Sequence, residues 1–408
     1  MQIDLRRQLW LITFAALLMG STVVFADQTK KGSDIQFYGF LRMDAAYDSS
    51  RLSDTQVPAY VLSEDPKALA AKGVKAAPEN QDEFTLYTRM TRLGFNLTGA
   101  KVKGMGAPKL TGRMEVDFYG PASDSRNMFR MRHAWLKLQW GDFSVLAGQT
   151  VDLISPLYPI ANDDMILWGA GNLADRRPQA RLQYALPIGE SRLLLQGAAG
   201  LTSAIDRKDL DGNGVPDGEV SGRPTLQGRA AYRMPVWNTN SPLEVGVWAH
   251  QAWEELDSPL AEGGETEFQS NVVGVDVKLP IYEDRLALSA EGWTGKNLSD
   301  VRGGIFQGIN PETNTEINAM GGFAQLSATV IKKQNYKNVI FLGASVDNPE
   351  DEDLSNGSRS LNRVFFIVHQ SSFGPVVINL EYLNWTTEYK GFEDGTSDRV
   401  RLYAAYKF

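Results

Sequence analysis

The chain ends in a two-residue alternation: Val400, Leu402, Ala404, Tyr406 and the terminal Phe408 are apolar, while Arg399, Arg401 and Lys407 stand between them. A strand with one apolar and one polar face, closing on an aromatic residue, fits the last strand of a transmembrane β-barrel. Its apolar face would meet lipid and its polar face a wet lumen. The pattern recurs in Lys109 to Tyr119, where Leu110, Gly112, Met114, Val116 and Phe118 alternate with Thr111, Arg113, Glu115, Asp117 and Tyr119. Three ionisable groups on one side of a strand would be costly inside a solid core. A water-filled lumen removes that cost.

Period-2 stretches bounded by turn residues predict about 16 antiparallel strands, an even number within the range of bacterial barrels. The first runs from Asp34 to Asp48, the second from Phe84 to Thr98, and the last three cover Asn362 to Gln370, Pro375 to Tyr389 and Asp398 to Phe408. Connections alternate in length. Ser49 to Glu83, Val151 to Arg177, Thr202 to Arg223 and Lys296 to Glu316 are long, whereas Gly141-Asp142, Ile188-Gly189, Pro280 to Asp284 and Ser372 to Gly374 are tight. An up-and-down barrel with short periplasmic turns and long outer loops has this alternation, with both termini on the periplasmic side.

The other end of the chain fits the same compartment. Arg6 and Arg7 precede an apolar run from Leu9 to Phe25, and Val24-Phe25-Ala26 is an acceptable cleavage site, so residues 1–26 read as a signal peptide and 27–408 as one barrel domain. Thr13, Gly20, Ser21 and Thr22 interrupt the run and disfavour a membrane anchor. There is no cysteine among the 408 residues, which excludes disulfides and thiolate metal sites. The formal charge of −8 includes +1 from Asp4, Arg6 and Arg7, leaving −9 for the mature chain. With a pI near 5.2, nucleic acid is not an expected partner.

The connection Val151 to Arg177 carries Leu153, Ile154, Leu157, Tyr158, Ile160, Met165, Ile166, Leu167 and Trp168, too many apolar residues for an exposed loop. Folded inward it would bury them on the barrel wall and constrict the lumen. It also carries the acids Asp152, Asp163, Asp164 and Asp175, against lumen arginines expected at Arg42, Arg92, Arg113, Arg176, Arg177 and Arg181, and further ones at Arg89, Arg130 and Arg132. A cationic wall facing an acidic loop makes a transverse field suited to small carboxylates. The bland reading is that many of these arginines only neutralise neighbours such as Glu115 and Asp117.

Asp209, Asp211, Asn213 and Asp217 occupy positions 1, 3, 5 and 9 of a loop with Gly212 and Gly214, like the front of an EF-hand calcium loop. Val220 replaces the glutamate at position 12, and these residues are also ordinary turn vocabulary. A structural calcium is therefore a balanced expectation. No other cofactor is expected.

His133, His250 and His369 fall on different strands with no metal-ligand spacing. His369-Gln370-Ser371 resembles the His-x-Ser element of outer-membrane phospholipase A, but Val364, Phe366 and Val368 are expected to claim the lipid face and turn His369 and Ser371 inward. The chain is not expected to be an enzyme.

Several stretches resemble the DcaP-like family of outer-membrane porins: Phe37-Tyr38-Gly39-Phe40-Leu41-Arg42-Met43-Asp44, Thr91-Arg92-Leu93-Gly94-Phe95, Arg176-Arg177-Pro178-Gln179-Ala180-Arg181-Leu182, and Gly303 to Gly308 through Glu316 to Leu326. The resemblance implies a homotrimeric 16-stranded channel in the bacterial outer membrane that takes up small organic acids such as dicarboxylates. It gives Arg176, Arg177 and Arg181 an anion-contact role. Some members carry a coiled-coil segment before the barrel; here only a few residues separate Ala26 from Asp34, so trimers would form through barrel walls. The rival readings are a lipid hydrolase using Ser371 and His369, and a plugged structural or adhesive barrel.

Overall fold

The structure is a computed structural model that describes residues 34–65, 67, 81–120, 126–237, 241–260 and 264–408. The expected signal peptide, residues 1–26, lies outside the described residues. The strands are β1 (Asp34–Asp48), β2 (Glu83–Tyr87), β3 (Arg92–Lys101), β4 (Lys109–Gly120), β5 (Met128–Trp140), β6 (Phe143–Val151), β7 (Arg176–Ile188), β8 (Ser191–Gly200), β9 (Thr225–Met234), β10 (Leu243–Glu255), β11 (Glu267–Tyr282), β12 (Leu286–Lys296), β13 (Ile309–Asn310), β14 (Thr315–Glu316), β15 (Asn318–Lys333), β16 (Tyr336–Pro349), β17 (Arg359–Phe373), β18 (Val376–Tyr389) and β19 (Phe392–Lys407). β13 and β14 form a separate small hairpin. The other 17 make one sheet in which every neighbour is antiparallel. β2 and β3 both pair with β1 and are two parts of one spanning strand, so the closed barrel has 16 strands.

Closure runs through the chain ends. β1 pairs with β19 from Phe40↔Lys407 to Asp48↔Arg399, and Gly39 and Phe408 exchange backbone hydrogen bonds at 3.1 Å in both directions. In a closed barrel no edge is left unpaired, which is what lets strands cross a bilayer. The alternation read from the last strand holds: Val400, Leu402 and Tyr406 face outward, and Arg399 and Arg401 are fully buried inside.

Two differences from the sequence reading have physical causes. The expected strand Phe84 to Thr98 is broken at residues 88–91, where the Arg89 guanidinium reaches the carbonyls of Phe118 and Gly120. The last outer connection is short: β19 begins at Phe392, and Gly391 turns the chain with φ +74°. The extra length of β19 and the end of β18 beside it are covered by the first outer loop, where Ser63 bonds the Glu393 carbonyl and Tyr389 the Val61 carbonyl.

β17 faces opposite to the sequence expectation. Val364, Phe366 and Val368 do not face lipid; they are 0, 4 and 0% exposed and pack inside against Ala161, Leu167 and Ala170 of the third outer loop. Phe365 and Ile367, at 56 and 43% exposed, take the outer face. Both faces of this strand are apolar because the loop makes part of the interior dry. A hydrophobic maleimide delivered in lipid is expected to label Ile367→Cys and spare Val368→Cys; equal labelling would contradict this facing.

Candidate functional site

Residues 152–175 form the third outer loop and lie inside the barrel. A loop in that position must find partners for its backbone polar groups, because an unpaired one away from water costs roughly 1–3 kcal/mol. The inner wall supplies them strand by strand. Gln227 of β9 accepts from Leu153 N at 2.8 Å, Glu291 of β12 from Leu157 N at 2.5 Å, Gln325 of β15 from Ile160 N at 2.8 Å, and Glu381 of β18 from Asn162 N at 2.8 Å. On the returning segment Asn362 of β17 donates to the Gly169 carbonyl at 2.7 Å and Trp293 of β12 to the Gly171 carbonyl at 2.8 Å. Gly171, with φ +118°, passes so close to the wall that a Cβ would stand 2.3 Å from the Gly322 carbonyl. The loop is thus laid along the wall from β9 to β19, and the opening is left on the side of β3–β7.

The loop acids point into that wall. Asp163 accepts from Arg42 at 2.6 and 2.9 Å and from Arg401 at 2.6 Å. Asp164 accepts from the Tyr87 hydroxyl at 2.6 Å and lies 2.9 Å from Arg401. Arg42 also holds Asp44, and Arg401 holds Glu381. In formal charge two guanidiniums meet four carboxylates, which makes this side of the opening negative. Asp152 is at the base of the loop, where Arg177 donates to it at 2.7 Å and to Asp300 at 2.8 Å.

The expected anion contacts therefore divide. Arg42 and Arg177, 5 and 1% exposed and saturated by carboxylates, support the loop and are not the solute-accessible contacts expected from the sequence. Arg92 and Arg113 line a cavity of about 520 Å³ between loop and wall together with Arg132, His133, Tyr158, Trp168 and Arg176. Among the described residues neither Arg92 nor Arg113 has an ion pair: Arg113 donates to Asn96, and its guanidinium lies 5.4 Å from the Tyr38 ring. Arg176 pairs with Asp175, and Arg181 donates to Gln179 and the Val151 carbonyl. Arg130 and Arg132 are held by Asp117 and Glu115. Three buried donors around the opening, Arg92 Nε, Arg176 Nε and Trp168 Nε1, have no acceptor among the described residues.

Arg401, Glu381, Glu291 and Gln325, which seat the loop, are not among the site residues that the sequence points to. The parity of the closing strand already put Arg401 inside; its partner 238 residues earlier in the chain had no sequence signal.

In the fourth outer loop, carboxylate oxygens of Asp209, Asp211 and Asp217 lie within 4.8 Å of one another. Asn213 is turned to other work, accepting from Val215 N at 2.7 Å and donating to Asp257 at 2.9 Å. Burial pushes the Asp217 carboxyl up to about 7, against two bonds from Leu210 N and with repulsion from Glu254 adding to it. A hollow of about 1080 Å³ on the outer side of β9–β12 and β15, walled by Val247, Val273, Val275 and Met320, belongs to the lipid-facing surface rather than to the pore.

No family model and no curated protein sequence matches the chain. The fold is similar to that of the outer membrane channel DcaP of Acinetobacter baumannii, with a TM-score of 0.67 and 20% identity over 94% of this chain and 99% of that one. It is similar at TM-scores of 0.53 and 0.55 to an anion-selective porin from Comamonas acidovorans (14% identity, covering 92% and 100%) and to OmpF of Salmonella typhi (12%, covering 92% and 98%). The architecture is that of a 16-stranded outer-membrane porin barrel.

Arg401→Ala is expected to destabilise the barrel by about 3–5 kcal/mol, because Glu381, Asp163 and Asp164 lose a buried partner; a lowered temperature of gel-mobility loss would register it, and an unchanged one would count against the loop anchorage. Since the folded state raises the Asp217 pKa, it binds the proton more tightly than the unfolded loop, so stability of this loop falls as pH rises from about 4 to about 7 and levels above. Protease cleavage within residues 201–224 should accelerate over that window, and Asp217→Asn should flatten the dependence.

Proposed function

We propose that this protein is an outer-membrane channel for passive diffusion of small anionic organic solutes, dicarboxylates among them, without enzymatic chemistry. The observation that carries the reading is the pair of unpaired guanidiniums, Arg92 and Arg113, in an opening whose opposite side is formally negative. A transverse field of this kind orients an anion along the arginine side, and fixed guanidiniums take carboxylates in bidentate fashion. The solute keeps water on its other side, which lets it leave again. Resemblance to the DcaP-like porins supports the same solute class and assembly as a homotrimer in the bacterial outer membrane. Arg176 and Arg181 remain proposed contacts; Arg42 and Arg177 act through the loop they hold.

In a planar bilayer under a salt gradient the purified protein should give discrete conductance steps, an anion-favouring reversal potential and block by succinate. Arg92→Ala and Arg113→Ala should each reduce the anion preference severalfold with conductance retained. A silent or cation-favouring protein would refute the reading, and silence is what a plugged structural barrel predicts.

For the fourth outer loop we propose a structural calcium held by Asp209, Asp211 and Asp217. Calcium would favour the ionised Asp217, so millimolar calcium should protect residues 201–224 from protease at pH 8 more than at pH 5; equal cleavage with and without calcium at pH 8 would dismiss it.

A further inference from the structure

The pore leaves unexplained a polar cluster on the outside of the wall. β16 and β17 are registered so that Tyr336 pairs with Phe373, Asn338 with Ser371, Ile340 with His369 and Leu342 with Ile367. Cross-strand partners share a face, and Leu342 and Ile367 are both lipid-facing, half-exposed residues. All four pairs therefore point outward, which reverses the inward orientation expected for His369 and Ser371. Asn338 Nδ2 lies 2.5 Å from His369 Nε2 and donates to Ser371 Oγ at 3.0 Å and to the Tyr336 hydroxyl at 3.5 Å.

The depth of the cluster is fixed by the strand geometry. Tyr336 stacks on Phe373 at 4.8 Å, an aromatic pair at the periplasmic rim with Lys333 beside it as the β15 partner of Tyr336. With about 3.3 Å per residue and a tilt of about 40°, Ser371 stands roughly 5 Å and His369 roughly 10 Å further into the membrane. Water does not compensate polar groups there. Once Asn338 has bridged them, the second ring nitrogen of His369 and the hydroxyl proton of Ser371 have no protein partner among the described residues.

A glycerophospholipid has a matching profile: a phosphate at the rim, ester carbonyls some ångströms below it, and acyl chains beyond. We propose that this strip binds a phospholipid of the periplasmic leaflet lengthwise, with Lys333 and Tyr336 at the phosphate, Ser371 and His369 at the ester carbonyls, and Ile340 and Leu342 along an acyl chain. Lys333, which shares the outer face with Tyr336, favours an anionic headgroup. Hydrolysis is not the reading, because the Asn338 amide stands between serine and imidazole and no direct contact joins nucleophile to base. The proposal rests on the barrel standing in an outer membrane, and not on which solute the pore passes.

Native mass spectrometry of the detergent-solubilised protein titrated with phosphatidylglycerol tests it. The wild type should retain a tightly bound lipid, and the triple variant Asn338→Leu, His369→Leu, Ser371→Ala should lose about tenfold in apparent affinity, as expected for two or three lost hydrogen bonds. These lipid-facing changes are apolar and leave the lumen untouched, so unaltered conductance in the same variant separates failure of this site from failure of the channel reading. Equal lipid retention in both proteins would overturn the proposal. So would accumulation of lysophospholipid dependent on Ser371, which would assign the cluster to hydrolysis.

Discussion

A loop laid inside a barrel has to bring its backbone amides out of water, and nearly everything specific about this pore follows from how that is met. Gln227, Glu291, Gln325, Asn362 and Glu381 stand on different strands and hold the loop against one side of the lumen. Because the loop is bound along its length, the opening is displaced toward β3–β7, where Arg92 and Arg113 stand. Its greasy side is hidden against Trp248, Trp293, Phe366 and Trp385, so half of the interior is a packed core and half is wet. The guanidiniums that border the opening without a carboxylate, Arg92 and Arg113, are ones the loop does not consume.

Ion pairs sort the arginines more strictly than position does. Buried charges persist only when paired and hydrogen-bonded, and the structure meets that demand for Arg42, Arg177, Arg399 and Arg401 with carboxylates supplied by other strands and loops. Of the four arginines bordering the open cavity, Arg132 and Arg176 are paired with carboxylates, and Arg92 and Arg113 have none among the described residues. The saturated guanidiniums stand on β1, β7 and β19 and the unpaired ones, Arg92 and Arg113, on β3 and β4, and the carboxylate partner is what separates the two sets.

Much of the architecture was legible in the sequence because a barrel wall is a period-2 object. Lumen residues such as Glu115 and Asp117 and lipid residues such as Val400 and Leu402 announce their faces by chemistry. Where both faces are apolar, as in Val364 to Val368, alternation names two faces without saying which is inside. The pairing of Asp163 with Arg42 and Arg401 spans 121 and 238 residues, and nothing local in the sequence marks it. The same limit hid the outward direction of His369: its face follows from the register with β16.

The seam where the barrel closes also determines when the pore takes shape. Asp163 is held by one arginine from the first strand and one from the last, and Asn162 leans on the strand before it. A chain still missing its C-terminal hairpin keeps Arg42 and Tyr87 but lacks Arg401 and Glu381, and so offers the tip of the loop only part of its seat. Completing the seat of the loop and sealing the wall therefore draw on the same last two strands, and a prematurely ended polypeptide forfeits both together.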